Sequence, residues 1–362
     1  TTFKPIVEEF IRRKIHFRYI SLDVHDPGLV IDSVFMHSQL FSKNRIGFAK
    51  LANLRANVML STTPNIGSQG YPLARPAGVL NLVHVFHAMV DLSCYRKGSL
   101  DFYDSVLMTG LHEERSIRLV EEARGLPQKR LMVAGLPCLD DLNRQKIELE
   151  KSDFATDKSK TTVLVAPSWG AKGCFSEYGT AFIKTLSATN HHVIIRLHPH
   201  SHTFEPNSVK RWLAETKDLP GVVWDDNTFG TRSMTQADIL ISDASSIRFD
   251  FAFLYEKPVI SLPISRESGS IFESDYMQET WADTMSEKIG LVVNLDRLHV
   301  IDQVVEEAMA QFTPKKLKEL RDTYVANFGN SAVAIVAYLN QQTELLSMTT
   351  RERTLKHQVD TL

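Results

Sequence analysis

The sequence predicts an α/β protein made of two doubly wound, Rossmann-like domains with parallel sheets. Short apolar runs rich in β-branched residues alternate with helical patterns along the chain. A charged stretch without apolar periodicity interrupts this alternation at 147–161, and Thr162 then begins a new strand. A length of 362 residues also favours two domains over one. We therefore expect an N-terminal domain at 1–150, a C-terminal domain at 151–346 and a polar tail at 347–362, with ligands bound in a cleft between the domains.

The predicted strands follow one another at the spacing of βαβ units. They are expected at 16–22, 58–61, 79–85, 105–108 and 130–134 in the first domain, and at 162–166, 192–197, 222–224, 239–242 and 258–262 in the second. Beyond Thr313 the pattern becomes helical, over 315–328 and 331–346. The polar residues that follow are expected to fray.

The amino-acid composition says little about which molecules the protein binds. With 41 basic and 43 acidic residues the net charge is -2, so nothing global favours nucleic acid and any anion needs a local pocket. Three widely spaced cysteines fit a reducing cytoplasm, and we find no signal peptide or membrane-spanning run. A basic cluster that overlaps apolar residues at 4–18 leaves contact with anionic lipid open, although a solvated helix face is the favoured interpretation. Its members are Arg12, Arg13, Lys14, His16 and Arg18.

The strongest local signal is a buried strand that ends in a small hydroxyl-bearing turn before a helix. Ser245 and Ser246 are expected at the N-terminus of that helix, where free backbone N–H groups and the helix dipole favour a phosphate. Asp250, about one turn further on, is placed to reach ribose hydroxyls. The alternative is that Asp243 and the two serines only cap the helix.

Two histidines follow predicted strands, one in each domain. His198 ends the strand that carries Arg196, and its imidazole can donate to a diphosphate, with Arg196 as a further substrate ligand. His87 ends an apolar run in the first domain and shares one side of that strand with Val85, whereas His84 lies on the other face. A lone histidine at a strand end is more often structural, but a pair in this arrangement favours a functional site.

Two further turns carry candidate site residues. In the loop at 165–173 Ser168 is a candidate substrate ligand, and Trp169 is expected to line the site or to stack on a base. Asp140, after the last strand of the first domain, is a candidate for orienting a histidine or a substrate hydroxyl, and helix capping is an equally good interpretation.

Other chemistries find no support in the sequence. The histidines at 198–202 lack a carboxylate or cysteine at a ligand spacing, so we expect no metal and no cofactor. The glycine spacing does not match a nucleoside triphosphatase loop, and neither G-x-S-x-G nor G-x-G-x-x-G occurs. These absences argue against a hydrolase triad and a nicotinamide enzyme.

Five segments occur in an order that characterises one enzyme family. They are Phe86-His87-Ala88, Gly135-Leu136-Pro137-Cys138-Leu139-Asp140, Ala166-Pro167-Ser168-Trp169, His198-Pro199, and Ser242-Asp243-Ala244-Ser245-Ser246 with Phe249-Asp250-Phe251. In this order they resemble the motifs of the CDP-glycerol glycerophosphotransferases, the teichoic acid primases and polymerases of GT-B architecture. The resemblance extends over about 57–263. Ala88, Cys138 and Ala244 replace the glycine, arginine and tyrosine of the family pattern, which leaves ribitol phosphate or another CDP- or UDP-linked donor open.

The resemblance implies a metal-independent transferase. It would move glycerol phosphate from CDP-glycerol to a hydroxyl of a glycan or lipid-linked acceptor in teichoic acid or capsule synthesis, and it would release CMP. His198, Ser245 and Ser246 would then hold the diphosphate and His87 would act as the base, in a cytoplasmic enzyme with peripheral contact to the inner face of the membrane as an option. A sugar-nucleotide enzyme of the same architecture, either a glycosyltransferase or a UDP-sugar 2-epimerase, and a silent scaffold are the alternatives.

Overall fold

The computed structural model describes residues 2–152, 159–171, 173–189, 191–227, 230–264 and 271–359, with side chains up to residue 349. It contains two compact units. The first unit comprises Thr1–Asp141, Ser270–Gln278 and Tyr324–Leu362, and the second comprises Leu142–Gly269 and Glu279–Thr323.

Helices and strands alternate along most of the chain. In chain order the elements are α1 (Phe3–Arg12), β1 (Phe17–Ser21), β2 (Met36–Leu40), α2 (Arg45–Ala52), β3 (Arg55–Ser61), β4 (Gly78–Val85), β5 (Ser105–Met108), α3 (His112–Arg124), β6 (Arg130–Val133), α4 (Pro137–Lys151), β7 (Thr161–Ala166), α5 (Cys174–Tyr178), α6 (Ala181–Ala188), β8 (His191–Ile195), α7 (Pro199–Phe204), α8 (Pro206–Thr216), β9 (Val222–Trp224), α9 (Thr231–Gln236), β10 (Ile239–Ser242), α10 (Ile247–Tyr255), β11 (Val259–Ser261), α11 (Trp281–Ile289), β12 (Gly290–Val292), α12 (Ile301–Gln311), α13 (Pro314–Tyr324) and α14 (Ser331–Val359). Short 3-10 turns occupy Pro27–Val30, Leu92–Cys94, Glu273–Tyr276 and Leu295–Val300.

The first unit is built on a parallel sheet with the strand order β3-β4-β5-β6, accompanied by a separate parallel pair, β1 and β2. Its core joins the sheet to α1 and α14, with Ile6, Val83, Leu107 and Ile335 among the buried members. Because these apolar faces are removed from water together, α14 belongs to the first unit although it comes last in the sequence.

The second unit contains a six-stranded parallel sheet with the order β12-β11-β10-β7-β8-β9. The direction of winding reverses between β7 and β10, which makes this position the topological switch point, where open α/β sheets bind their ligands. Ser242 of β10 lies opposite Ala166 of β7, and Val165 lies opposite Ile195 of β8. The loops that follow these three strands therefore start at one edge of the sheet.

The observed elements and units differ from the predicted ones at several positions. Strands β2 and β12 were not predicted. The second unit begins at Leu142 rather than at 151, and 324–346 packs with the first unit because Ile335 and Val336 are buried in that unit's core. The predicted linker begins as helix, since α4 continues to Lys151; residues 153–158 lie outside the described residues. The predicted tail is helical as far as Val359, and 360–362 lie outside the described residues.

Two members of the basic N-terminal segment form ion pairs within the first unit. Arg12 and Arg13 both donate to the buried carboxylate of Glu9, at 2.6 Å and 2.5 Å. The apolar Phe10 and Ile15 of the same segment pack against the core. Among the described residues, no helix is long and apolar enough to cross a membrane.

Candidate functional site

Most of the predicted site residues meet at the carboxyl edge of the second unit's sheet. Ser168 and Trp169 follow β7, Ser245 and Ser246 follow β10, and His198 follows β8. Because β10, β7 and β8 are neighbours in the sheet, the three loops lie side by side at the switch point.

The two serines form the turn into α10. Ser246 holds the N-cap position with helical backbone angles, and no side-chain hydrogen bond caps the helix there. The hydroxyl of Ser245 lies 3.5 Å from the backbone nitrogen of Ile247, a long contact. Both serines are half-buried. The turn thus presents hydroxyls beside a helix N-terminus of positive dipole, as a phosphate requires, and the capping alternative does not describe Ser246.

His198 is fixed in one tautomer by its backbone contact. Its Nδ1 accepts a hydrogen bond from the backbone N–H of His200 at 3.1 Å, so the neutral ring carries its proton on Nε2. Burial and the neighbouring His200 lower the pKa of the His198 imidazole, which favours this neutral form. The residue can therefore donate one hydrogen bond from Nε2 without carrying a charge.

Trp169 heads an aromatic cluster on the same edge. Its ring stacks on Phe204 at 5.3 Å between centroids and meets His200 edge-on at 5.2 Å, while His198 lies 6.3 Å away. Trp169 is 44% exposed and Phe204 is 63% exposed. The cluster offers a flat apolar surface to which a planar ring can add. Across the described ranges, no three His, Cys, Asp or Glu side chains gather as metal ligands.

Asp250 and Arg196 have contrasting surroundings. Asp250, in the first turn of α10, keeps some exposed surface, but its Oδ1 is buried and has no hydrogen-bond partner among the described residues. Burial raises the pKa of this carboxyl to about 7. Arg196, in contrast, donates to Asp225 Oδ2 and to the carbonyl of Asn227, both at 2.9 Å. Its guanidinium is thus held within the loop after β9, whereas one oxygen of Asp250 lacks a donor in the part of the chain that the structure describes.

His87 lies in the first unit, just beyond the carboxyl end of β4, and its side chain is exposed. Its carbonyl accepts a hydrogen bond from Cys138 Sγ at 3.2 Å. Partial desolvation lowers the pKa of its imidazole, although solvent still reaches the ring. His84, on the opposite face of the strand, is fully buried against Tyr95 and has a pKa of about 3 because of burial. Only His87 is therefore available to a substrate.

Asp140 occupies a structural position in the first unit. Its Oδ1 accepts from the backbone N–H of Gly329 and its Oδ2 from that of Ser331, both at 2.7 Å. Ser331 is the first residue of α14, so the buried Asp140 carboxylate caps the start of this helix. These contacts match the capping interpretation, and the catalytic role predicted for Asp140 gains no support from them.

We expect the Asp140→Ala variant to lose stability because two backbone N–H groups lose their acceptor, and that of Ser331 is buried. The cost should be about 1 to 3 kcal/mol in the free energy of unfolding. Urea denaturation followed by circular dichroism measures it, with Glu148→Ala on the exposed side of α4 as the control. Equal stability of the two variants would contradict the capping role.

Two buried charged residues at this edge were not predicted as site residues. Asp243 is 0% exposed and Arg248 is 6% exposed, and both contact the loops that hold the serines. A signal for them exists in the sequence, since each is a charge within an otherwise apolar stretch around β10 and α10. Charges in such stretches are rarely buried without a partner.

Comparison with known proteins identifies the fold. The wall teichoic acid polymerase TagF is similar with a TM-score of 0.59 and 14% identity, over 95% of this chain and 85% of that one. A putative UDP-N-acetylglucosamine 2-epimerase from Listeria monocytogenes has a TM-score of 0.62 at 11% identity, over 95% and 93% of the two chains. MurG of Acinetobacter baumannii has a TM-score of 0.52 at 7% identity, over 93% and 94%. These similarities confirm the GT-B class predicted from the sequence.

Family membership is shown by sequence. None of the curated proteins matches the chain. The family model described as CDP-Glycerol:Poly(glycerophosphate) glycerophosphotransferase matches residues 96–327, which is more than half of the sequence. This match includes the loops after β7, β8 and β10, and it confirms the family that the sequence motifs resemble. The chain belongs to the CDP-glycerol:poly(glycerophosphate) glycerophosphotransferase family.

Proposed function

We propose that the second unit binds the CDP-linked donor at the turn after β10 and that His87 of the first unit is the base of the reaction. The family's reaction is the transfer of glycerol phosphate from CDP-glycerol to poly(glycerophosphate). The observation that carries the assignment of the donor site is the Ser245-Ser246 turn, whose hydroxyls lie at a helix N-terminus and at the topological switch point.

Each neighbour of this turn suits one part of a CDP donor. The diphosphate accepts hydrogen bonds from the backbone N–H of Ser246, from the hydroxyls of Ser245 and Ser246 and from Nε2 of His198. The cytosine ring stacks on the exposed face of Trp169. A ribose hydroxyl donates to the buried oxygen of Asp250 that lacks a partner among the described residues. Ser168, in the loop after β7, adds a further hydroxyl at the same edge.

The chemical step is a substitution at the β-phosphorus of the donor. The oxygen of an acceptor hydroxyl forms a bond to this phosphorus, and the bond to the bridging diphosphate oxygen breaks. CMP leaves with the electron pair, and the acceptor proton passes to the neutral imidazole of His87. The helix N-terminus and His198 stabilise the negative charge that accumulates on the phosphates.

The chemical class of the acceptor is inferred from the polymer named in the family's description. We propose a glycan or lipid-linked acceptor that ends in a hydroxyl, used at the inner face of the membrane. One of the similar TagF structures was obtained after a soak with CDPG, which supports a donor of this class for the shared fold. In the N-terminal basic segment Arg12 and Arg13 are paired with Glu9, while Lys14, His16 and Arg18 are exposed, which leaves contact with anionic lipid open.

The proposal is tested by following product release from competing donors. We expect CMP release from CDP-glycerol when a glycerol phosphate oligomer is present, and neither UDP nor an epimer from UDP-N-acetylglucosamine. In thermal-shift experiments CDP-glycerol at 100 times its Kd should stabilise the protein by about 2.7 kcal/mol. Chromatography of the nucleotides measures the first result. UDP or epimer formation would favour a sugar-nucleotide enzyme, and binding of CDP-glycerol without turnover would favour a scaffold.

A further inference from the structure

A buried carboxylate ties together two loops of the donor edge. Asp243, the first residue after β10, accepts the backbone N–H of Ser168 at 3.0 Å, that of Cys174 at 2.8 Å and that of Ser245 at 3.3 Å. Ser168 belongs to the loop after β7, Cys174 begins α5 at the end of that loop, and Ser245 belongs to the turn after β10. One side chain therefore sets the spacing between the two loops at the switch point.

A buried guanidinium holds the same turn from its other side. Arg248 Nε donates to the carbonyl of Ser245 at 3.1 Å, and its Nη1 donates to Ser261 Oγ at 3.0 Å and to Ser286 Oγ at 2.7 Å. Ser261 ends β11 and Ser286 lies in α11, so Arg248 connects the turn to the next strand and to a packed helix. The backbone of Ser245 thus donates its N–H to the Asp243 carboxylate and accepts a hydrogen bond at its carbonyl from the Arg248 guanidinium.

Burial of two charges in this place needs an explanation beyond stability. Removing charges from water is costly, and an apolar pair of similar volume often serves a core equally well. Burial lowers the pKa of Arg248 to about 10, against the attraction of Asp243 and Asp283, so the guanidinium remains charged at neutral pH. What the two charges provide, and apolar side chains cannot, is directed hydrogen bonds to the backbone of the turn.

We propose that Asp243 and Arg248 are positioning residues that hold the turn of Ser245 and the loop of Ser168 in the geometry that binds the donor diphosphate. This proposal rests on the donor site assigned above. Neither residue touches the donor. Asp243 fixes the distance between the turn of Ser245 and the loop of Ser168, and Arg248 fixes the orientation of the Ser245 peptide, so the Ser246 N–H and the serine hydroxyls are already oriented when the donor binds.

Asp243→Asn is the direct test. The amide nitrogen faces backbone N–H groups that need an acceptor, so at least one of the loops is released. A displacement of about 1 Å at such a site costs about 100-fold in the reaction. We expect the Kd for CDP and the KM for CDP-glycerol to rise about 10- to 100-fold, as measured by calorimetry and by CMP release, whereas kcat measured at saturating donor falls less.

Asp238→Asn is the matched control. Asp238 Oδ2 accepts the backbone N–H of Thr162 at 2.9 Å, so it makes the same kind of bond between β10 and β7 at the opposite end of the strands. We expect both variants to lower the melting temperature, but the control should leave the Kd for CDP unchanged. An equal rise of Kd in both variants would show general destabilisation and would overturn the proposal.

Arg248→Lys provides a second test that keeps the charge. An ammonium can reach Ser261 and Ser286 but lacks the planar fork that also serves the Ser245 carbonyl. We expect the Kd for CDP to rise less in Arg248→Lys than in Arg248→Met. If Asp243→Asn does not fold, these two Arg248 variants test the proposal on their own. Unchanged Kd values for CDP in the Asp243 or Arg248 variants would overturn the positioning role of these two residues. Failure of the wild-type protein to bind CDP would instead overturn the assignment of the donor site.

Discussion

The His87→Ala variant should lose nearly all transfer activity while the fold is preserved. A positioned general base contributes about 100- to 10,000-fold, and the side chain of His87 is exposed beyond the end of β4 and is not a member of the buried core. The contact between Cys138 and the His87 carbonyl involves only backbone on the His87 side, so alanine retains it. CMP release with CDP-glycerol and an acceptor measures the loss, and circular dichroism checks the fold.

His25→Ala is the control, because His25 is also an exposed histidine of the first unit. The dependence of kcat/KM on pH is a second measurement, which would not report His87 if its role were only structural. The base acts as neutral imidazole, so kcat/KM rises as pH increases through the pKa of His87. Desolvation lowers this pKa, which places the rising limb below the ordinary imidazole value of about 6.5. Near-full turnover of His87→Ala would remove the residue from the mechanism.

Two substitutions of His198 should separate the helix-capping role of its Nδ1 from the hydrogen bond that its Nε2 donates to the diphosphate. In His198→Asn the amide oxygen can still accept the backbone N–H of His200, but the donor that corresponds to Nε2 is lost. In His198→Gln the amide nitrogen reaches about as far as Nε2. We expect kcat/KM for CDP-glycerol to fall about 100-fold or more in the asparagine variant, as for the loss of one charge-stabilising donor, and less in the glutamine variant.

Both variants should keep a melting temperature close to that of the wild-type protein, since α7 is short and its cap is retained at least in the asparagine variant. His202→Ala is the control, because His202 lies in the same segment but outside the aromatic cluster of Trp169. If the asparagine and glutamine variants lose activity equally, the diphosphate does not depend on a donor at Nε2. If His198→Asn keeps full activity, His198 is only a helix cap.

Regular, buried strands were predictable from the sequence. Strands β5, β9 and β10 have the predicted bounds, because their short apolar runs are bordered by turn residues. Strand β2 was missed since its sequence, Met-His-Ser-Gln-Leu, is mostly polar and its residues are only half-buried or exposed. Strand β12 has three residues and lies at the edge of its sheet. Edge strands need little apolar surface, so their sequences carry a weak pattern.

Side-chain partners that are distant in sequence were not predictable. The sequence locates Asp140 at a turn, but its partners Gly329 and Ser331 are almost 200 residues away along the chain. Arg196 was predicted as a substrate ligand because of its place in a strand, and its contact with Asp225 became visible only in the fold. The Ser245-Ser246 turn was predictable because strand, turn and helix signals are all local.

The composition of the first unit has a consequence for synthesis on the ribosome. Its sheet is covered by α14, and Ala332, Ile335, Val336 and Leu339 fill the core against it. These residues follow every residue of the second unit in the sequence. The apolar core of the first unit therefore lacks part of its cover until the second unit has been translated. The core of the first unit is thus completed by residues translated after the second unit, and until then its apolar surface is of the kind that makes folding intermediates prone to aggregation.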